Sequence, residues 1–194
     1  MVLLSEDERE RAARYVRAED GDRWAHARGI LRAVLGRYAD VDPRSLRFAQ
    51  GPHGKPQAAA VGDVPAGLRF NLSHSGDVLL VAVALDREIG VDVELPRRAT
   101  DHVEIARRIL GDEEAERLAA LDEPTREREF LRAWVRWEAV LKCRGTGIGG
   151  ADDPPTGPDP WVVELDIGPL AAAALAATDG PCSVRCWQWP AVGG

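Results

Sequence analysis

Apolar positions along this chain repeat with two periods, and the alternation between them sets out the elements. Ser5 followed by Glu8 forms a capping-box pattern and predicts a short helix over 5–17. After Gly21-Asp22, the residues Trp24, Ala27, Ile30, Leu31, Val34, Leu35 and Tyr38 keep helical spacing and predict a second helix. Asp42-Pro43 breaks that pattern and can start one turn. Beyond it, 45–50 reads as a strand, 51–56 as a Gly/Pro turn and 57–67 as a loop. Three β-branched or apolar runs follow at 68–73, 78–85 and 89–95. Their short polar separators favour antiparallel pairing. Helices are predicted over 101–110, 112–121 and 124–143, the last stopping near Gly145. The Pro/Asp/Gly-rich stretch 151–160 reads as a loop. Strands at 161–166 and 183–189 flank an alanine-rich segment, 169–177, that reads as helix or turn.

The order helices, strands, helices, strands predicts an α+β fold rather than a doubly wound parallel sheet. A boundary near 95–100 divides the 194 residues into similar halves, 1–97 and 98–194, with no sequence repeat between them. A chain of this length buries enough surface to fold without a disulfide or metal staple. No apolar run reaches the roughly 20 residues of a membrane span. The net charge of -7 argues against nucleic acid as a partner. Three cysteines, with no CxxC pair, argue against a disulfide framework or zinc site. Residues 1–10 carry no signal-peptide pattern, so a reducing cytoplasm is the expected compartment. Cys182 and Cys186 read as packing residues. Lys55 and Lys142 are the only lysines, against 23 arginines among the 25 basic residues.

Four constellations could carry chemistry. In Gly90-Val91-Asp92-Val93-Glu94, the two-residue period of a strand puts Asp92 and Glu94 on one face and Val91 and Val93 on the other. Adjacent carboxylates repel unless a cation lies between them. Oxygen ligands without His or Cys favour Mg²⁺ or Mn²⁺. On spacing alone the pair also fits a solvated polar strand face. In the long helix, Phe130, Trp134, Trp137 and Leu141 form a core stripe. Glu138 and Lys142 flank it as an i, i+4 pair, which either merely stabilises the helix or faces a cleft. In the cleft, Glu138 would complete a three-carboxylate cation site and Lys142 would neutralise a phosphate. Phe70-Asn71-Leu72-Ser73-His74-Ser75-Gly76 puts a Ser-His-Ser-Gly turn at a strand end, either an anion-binding turn with His74 as donor or a plain hairpin turn. No Gly-x-Ser-x-Gly elbow is present, which removes the serine-hydrolase option. Finally, Gly51-Pro52-His53-Gly54-Lys55-Pro56 presents Lys55 on a turn that is not a Walker loop.

Taken together and in order, Phe70–Gly76, Ile89–Glu94 and Trp134-Val135-Arg136-Trp137-Glu138-Ala139-Val140-Leu141-Lys142 resemble the consecutive motifs of the 4′-phosphopantetheinyl transferases, the two-domain Sfp type above all. Gly51–Pro56, the stretch 14–23 and Gly145-Thr146-Gly147 fit the same family pattern. The resemblance implies two α+β halves related by pseudo-twofold symmetry, with mainly antiparallel sheets and packed helices. It implies coenzyme A between them, and a monomer acting on an acyl, polyketide or peptidyl carrier protein. By that analogy Asp92, Glu94 and Glu138 bind Mg²⁺, and Lys142 contacts a phosphate. Lys55 and Arg23 hold the 3′-phosphoadenosine end, and Asn71, Ser73 and His74 line the nucleotide and diphosphate site. Asp92, Glu138 and Lys142 would be catalytic, with Glu138 the candidate base. One departure stands out: Trp137 occupies the position where the family usually has lysine. Two other readings use the same residues, a metal-dependent phosphohydrolase and a non-catalytic coenzyme A or carrier-protein module.

Overall fold

The computed structural model describes residues 3–50, 56–58, 65–96, 101–146 and 157–189. The turn carrying Lys55, the rest of the expected loop up to residue 64 and most of the 151–160 loop lie outside the described residues.

Helix α1 (Glu6–Ala13) starts at the capping box, where the Glu8 carboxylate accepts from the Ser5 N–H. It ends before Arg17, and α2 (Ala18–Ala39) begins earlier than the Gly21-Asp22 signal predicts. Gly21 does not break the helix. It lets α2 approach α1 closely, because a Cβ there would land on the Ala12 carbonyl oxygen. The expected turn forms after Pro43, with Ser45 N–H bonding back to Asp42. The strand that follows, β1 (Phe48–Gln50), is shorter than predicted and pairs with β2 (Pro56–Ala58), in a stretch read as loop.

Strands β3 (Leu68–Ser75) and β4 (Val78–Leu85) form an antiparallel hairpin around Gly76-Asp77. The Ser73-His74-Ser75 segment is therefore strand rather than turn, so its side chains, not a nest of backbone N–H groups, face the site. Strand β5 (Ile89–Glu94) corrects the simple hairpin expectation. It does not extend the β3–β4 ladder but pairs antiparallel with β7 (Ala172–Ala177), which also pairs with β6 (Trp161–Glu164). Beside β3, β5 is held by side chains instead: Asn71 Oδ1 accepts from Val91 N–H at 2.8 Å, and Ser75 Oγ from Leu95 N–H at 3.2 Å. These bonds advance in step along both strands, so β3 and β5 run in the same direction.

The alanine run is a strand despite alanine's helix propensity. As the central strand it is buried on both faces. Ala174 and Ala176 pack under Val135, Ala139 and Cys143 of α5 (Glu123–Arg144). Leu175 and Ala177 pack with Ile89, Val91 and Ala82 on the other side. Small residues are what allow a helix to lie close to this sheet. The short helices α3 (His102–Ile109) and α4 (Asp112–Ala119) pack against the N-terminal part of α5 through Ala106, Ala115, Leu118, Phe130 and Leu131. The predicted last strand is absent: 183–189 has no regular structure, and Trp189 instead lies under the Arg37 guanidinium, 4.7 Å from its ring centroid. Cys182 packs against the β5–β7 core as expected, whereas Cys186 is exposed. The α+β class holds, with every described ladder antiparallel. Among the described residues no helix is long and apolar enough to cross a membrane.

Candidate active site

The site is built where β5 passes beneath α5. Alternation along β5 sends Val91 and Val93 into the core and Gly90, Asp92 and Glu94 toward α5, as the spacing predicts. Gly90 permits the contact, since a Cβ there would collide with the Ala139 carbonyl and the Cys143 nitrogen. That approach brings Lys142 over Asp92. Lys142 Nζ donates to Asp92 Oδ1 at 2.5 Å and to Ser73 Oγ at 3.0 Å, and Ser73 Oγ donates to the same Asp92 oxygen at 2.7 Å. One step along, Ser75 Oγ donates to Glu94 Oε2 at 2.7 Å. The serines of β3 thus orient the carboxylates of β5.

Asp92 is only 4% exposed, and its Oδ2 is buried without a hydrogen-bond partner among the described residues. An ionised oxygen in that state is costly, and a cation would relieve it. Glu138, 8% exposed, lies in the field of the same group. Burial raises its pKa above the ordinary carboxylate value, Asp92 and Glu94 add to the rise, and Lys142 opposes it. Two buried or half-buried carboxylates thus crowd Glu138 and one ammonium compensates. Among the described residues no group of three or more His, Cys, Asp or Glu side chains is placed so as to hold a metal ion.

A cavity of about 740 Å³ opens from this point toward α1 and α2. Lys142, Ser73 and His74 line it together with Arg28, Trp24 and Phe48. Arg11, Arg32 and Arg47 line the α1–α2 side together with Glu6, Asp7 and Glu8. The Arg28 guanidinium lies over both aromatic rings, 5.2 Å from the Trp24 centroid and 4.5 Å from that of Phe48. One side therefore combines arginines, two aromatic rings and the α1 carboxylates, and the other carries Ser73, His74 and Lys142, the last bonded to Asp92 of β5.

The sequence matches two family models. Residues 88–188 match the 4′-phosphopantetheinyl transferase superfamily, and residues 1–86 match the N-terminal region of 4′-phosphopantetheinyl transferase. The chain is 39% identical over 176 residues to the 4′-phosphopantetheinyl transferase HetI of Nostoc sp., covering 90% of this chain and 69% of that protein. The chain belongs to the 4′-phosphopantetheinyl transferase superfamily.

Other relatives in the superfamily are longer. A putative 4′-phosphopantetheinyl transferase of Synechocystis sp., slr0495, is 35% identical, with 77% of this chain and 60% of that protein aligned. The human L-aminoadipate-semialdehyde dehydrogenase-phosphopantetheinyl transferase is 26% identical, with 75% of this chain and 50% of that protein aligned. The boundary between the two matched phosphopantetheinyl transferase regions falls just before β5, the strand whose ladder partner is β7.

Of the residues singled out in the sequence, Asp92, Glu94, Glu138, Lys142, Ser73 and Asn71 gather at the β3–β5–α5 junction. His74 is exposed on the cavity wall. Arg23 is not among the cavity-lining residues: it is exposed and faces Asp20 at 3.8 Å on its own helix. Lys55 lies outside the described residues. Trp137 is half-buried against Trp134, 5.4 Å between centroids, and stays with the aromatic row as its spacing predicts. Three arginines of α3–α5 are paired within their own helices: Arg107 with Glu104, Arg117 with Glu114, and Arg126 with Glu123.

Sequence reasoning missed Arg28, Arg47 and Trp24 as cleft residues. Arg28 and Arg32 sit at Trp24 + 4 and Trp24 + 8, on the stripe that should be apolar. Two cations at core-facing positions were the available signal.

Glu138→Gln separates function from stability. Because the folded-state pKa of Glu138 is raised, its favourable contribution is complete below the unfolded value and is lost as pH rises through the folded value. Glu138 therefore withdraws stability as pH rises from acidic toward neutral. In EDTA at pH 7, Glu138→Gln is expected to raise stability by about 0.5–2 kcal/mol and to remove part of the Tm decline between acidic and neutral pH. Thermal melts across that range check this. A variant that melts lower at pH 7 contradicts it.

Proposed function

We propose that this chain moves the 4′-phosphopantetheine group of coenzyme A onto a serine of an apo carrier protein and releases 3′,5′-ADP. What supports this most is the continuity of the Asp92–Ser73–Lys142 cluster with a cationic, aromatic-walled cleft in a chain of this superfamily. Coenzyme A carries a diphosphate and a separate 3′-phosphate. The cleft offers Lys142 and His74 for the first, and Arg28 with Arg47 for the second. Lys55, outside the described residues, and Arg23, which faces Asp20 on α2, stay in the proposal only as the residues expected at the 3′-phosphoadenosine end.

Asp92, Glu94 and Glu138 would hold Mg²⁺, with Mn²⁺ an alternative of the same donor chemistry. The partnerless Asp92 Oδ2, the all-oxygen donor set and the crowding of Glu138 fit such an ion. When bound, the ion supplies positive charge to the diphosphate. In the reaction, the carrier serine Oγ forms a bond to the β-phosphorus and the bridging P–O bond to the 3′,5′-ADP portion breaks. Glu138 takes the serine proton on a carboxylate oxygen, directly or through one water. Lys142 Nζ leaves Asp92 to stabilise the charge growing on the leaving phosphate. Ser73 and Ser75 keep Asp92 and Glu94 in place. Three free thiols, Cys143, Cys182 and Cys186, accord with a reducing cytoplasm, where we place a monomer.

Product chromatography tests the proposal. With an apo carrier present, 3′,5′-ADP should appear in equal amount to the modified carrier. Coenzyme A should stay intact when the carrier is omitted. Turnover without a carrier would make the protein a phosphohydrolase. Coenzyme A binding without any turnover would make it a binding module.

A further inference from the structure

Glu8 lines the cleft with Glu6 and Asp7, and is the one of the three that is buried. It is 6% exposed, and its charge opposes a phosphate ligand unless it serves another purpose. Its Oε2 accepts from Ser5 N–H at 3.0 Å and from Arg32 Nε at 2.7 Å. Its Oε1 faces Arg28 Nε at 3.4 Å. The two arginines differ in what remains to them. Arg32 is committed, since its Nη1 also donates to the Pro43 and Leu46 carbonyls at 2.7 and 3.1 Å. Arg28 is held by Glu8 at Nε and by Trp24 and Phe48 on its faces, yet its Nη1 is buried with no hydrogen-bond partner among the described residues. Burial lowers the Arg28 pKa, and Glu8 is the first charge that opposes that shift.

Resting on the coenzyme A reading above, we propose that Glu8 is a positioning residue: it fixes the Arg28 guanidinium by its Nε edge so that the unused Nη1 edge is kept for the 3′-phosphate of the coenzyme. An arginine side chain has about 2 kcal/mol of rotamer entropy to lose, and a group already clamped has less left to lose on binding. The carboxylate also offsets the repulsion between Arg28 and Arg32, four residues apart on α2. The capping role read from the sequence and this role use different oxygens of the same carboxylate.

Kinetics with coenzyme A and with 3′-dephospho-coenzyme A test this. Glu8→Gln should raise KM for coenzyme A by about tenfold, with kcat changed by less than about threefold and KM for the dephospho analogue nearly unchanged. In an Arg28→Lys background the same substitution should bring no further rise. A merely structural role would move kcat and both KM values, and would do so equally in both backgrounds. That result overturns the proposal. Should Glu8→Gln fail to fold, Glu8→Asp keeps the charge for Arg32 while withdrawing it from Arg28. It should show the same selective rise, and an unchanged KM for coenzyme A would refute the assignment. Wild-type protein that transfers nothing from coenzyme A would instead defeat the reading on which the proposal rests.

Discussion

Asp92→Asn is expected to lower kcat/KM for phosphopantetheine transfer by about 10³-fold, with only a small change in Tm. The amide matches the carboxylate in shape, so the β5 backbone and the packing around it should persist. What disappears is the charge at the centre of the site. Asp92 Oδ1 receives both Lys142 and Ser73, and Oδ2 is the partnerless oxygen that fits a metal ion. An asparagine NH₂ placed toward either neighbour opposes Lys142 or a cation. Lys142 is only partly exposed and would lose the Asp92 charge from its surroundings. The release of 3′,5′-ADP, followed continuously, gives the rate. A loss below tenfold would mean that Asp92 is a structural partner of Lys142 and not a participant.

Gly90→Ala should be the most damaging substitution for the fold near the site. A Cβ at this position would land on the Ala139 carbonyl oxygen and the Cys143 nitrogen, with the Lys142 carbonyl carbon 2.9 Å away. All three are backbone atoms of α5, so no rotamer change relieves the clash. The helix must lift off the strand, which strips Val135, Ala139 and Cys143 from Ala174 and Ala176. The cost is about 3 kcal/mol or more, a Tm drop on the order of 10 °C for a domain of this size. The same lift carries Glu138 and Lys142 away from Asp92. A displacement of about 1 Å can cost on the order of 10²-fold in rate, so activity should fall further than stability alone explains. Melting curves and initial rates measured well below the new Tm separate the two effects.

The site was more legible in the sequence than the fold around it. Asp92 and Glu94 share a face because strands have a period of two, and Glu138 and Lys142 share one because helices return after four residues. Both are local rules, and neither needs knowledge of the partner element. Which strand lies beside which is not local. The run 172–177 is rich in the strongest helix former, yet it is the central strand. Only its place between two strands and beneath a helix selects it. Likewise β5 follows a two-stranded hairpin after a three-residue connection but takes its ladder partner, Ala172–Ala177, from the other end of the chain. The cleft arginines were hidden for a related reason. Arg28 and Arg32 occupy apolar-stripe positions on α2, and what they face, Glu8 and Phe48, comes from elements before and after that helix.

The central claim is that this cluster transfers phosphopantetheine in a metal-dependent way, and intact mass spectrometry of an apo carrier protein tests it most directly. Incubated with the protein, coenzyme A and Mg²⁺, the carrier should gain the mass of one phosphopantetheine group, and a parallel sample with EDTA should gain none. No gain on any acyl, polyketide or peptidyl carrier would contradict the transferase assignment, and a gain undiminished by EDTA would contradict the role given to Asp92, Glu94 and Glu138.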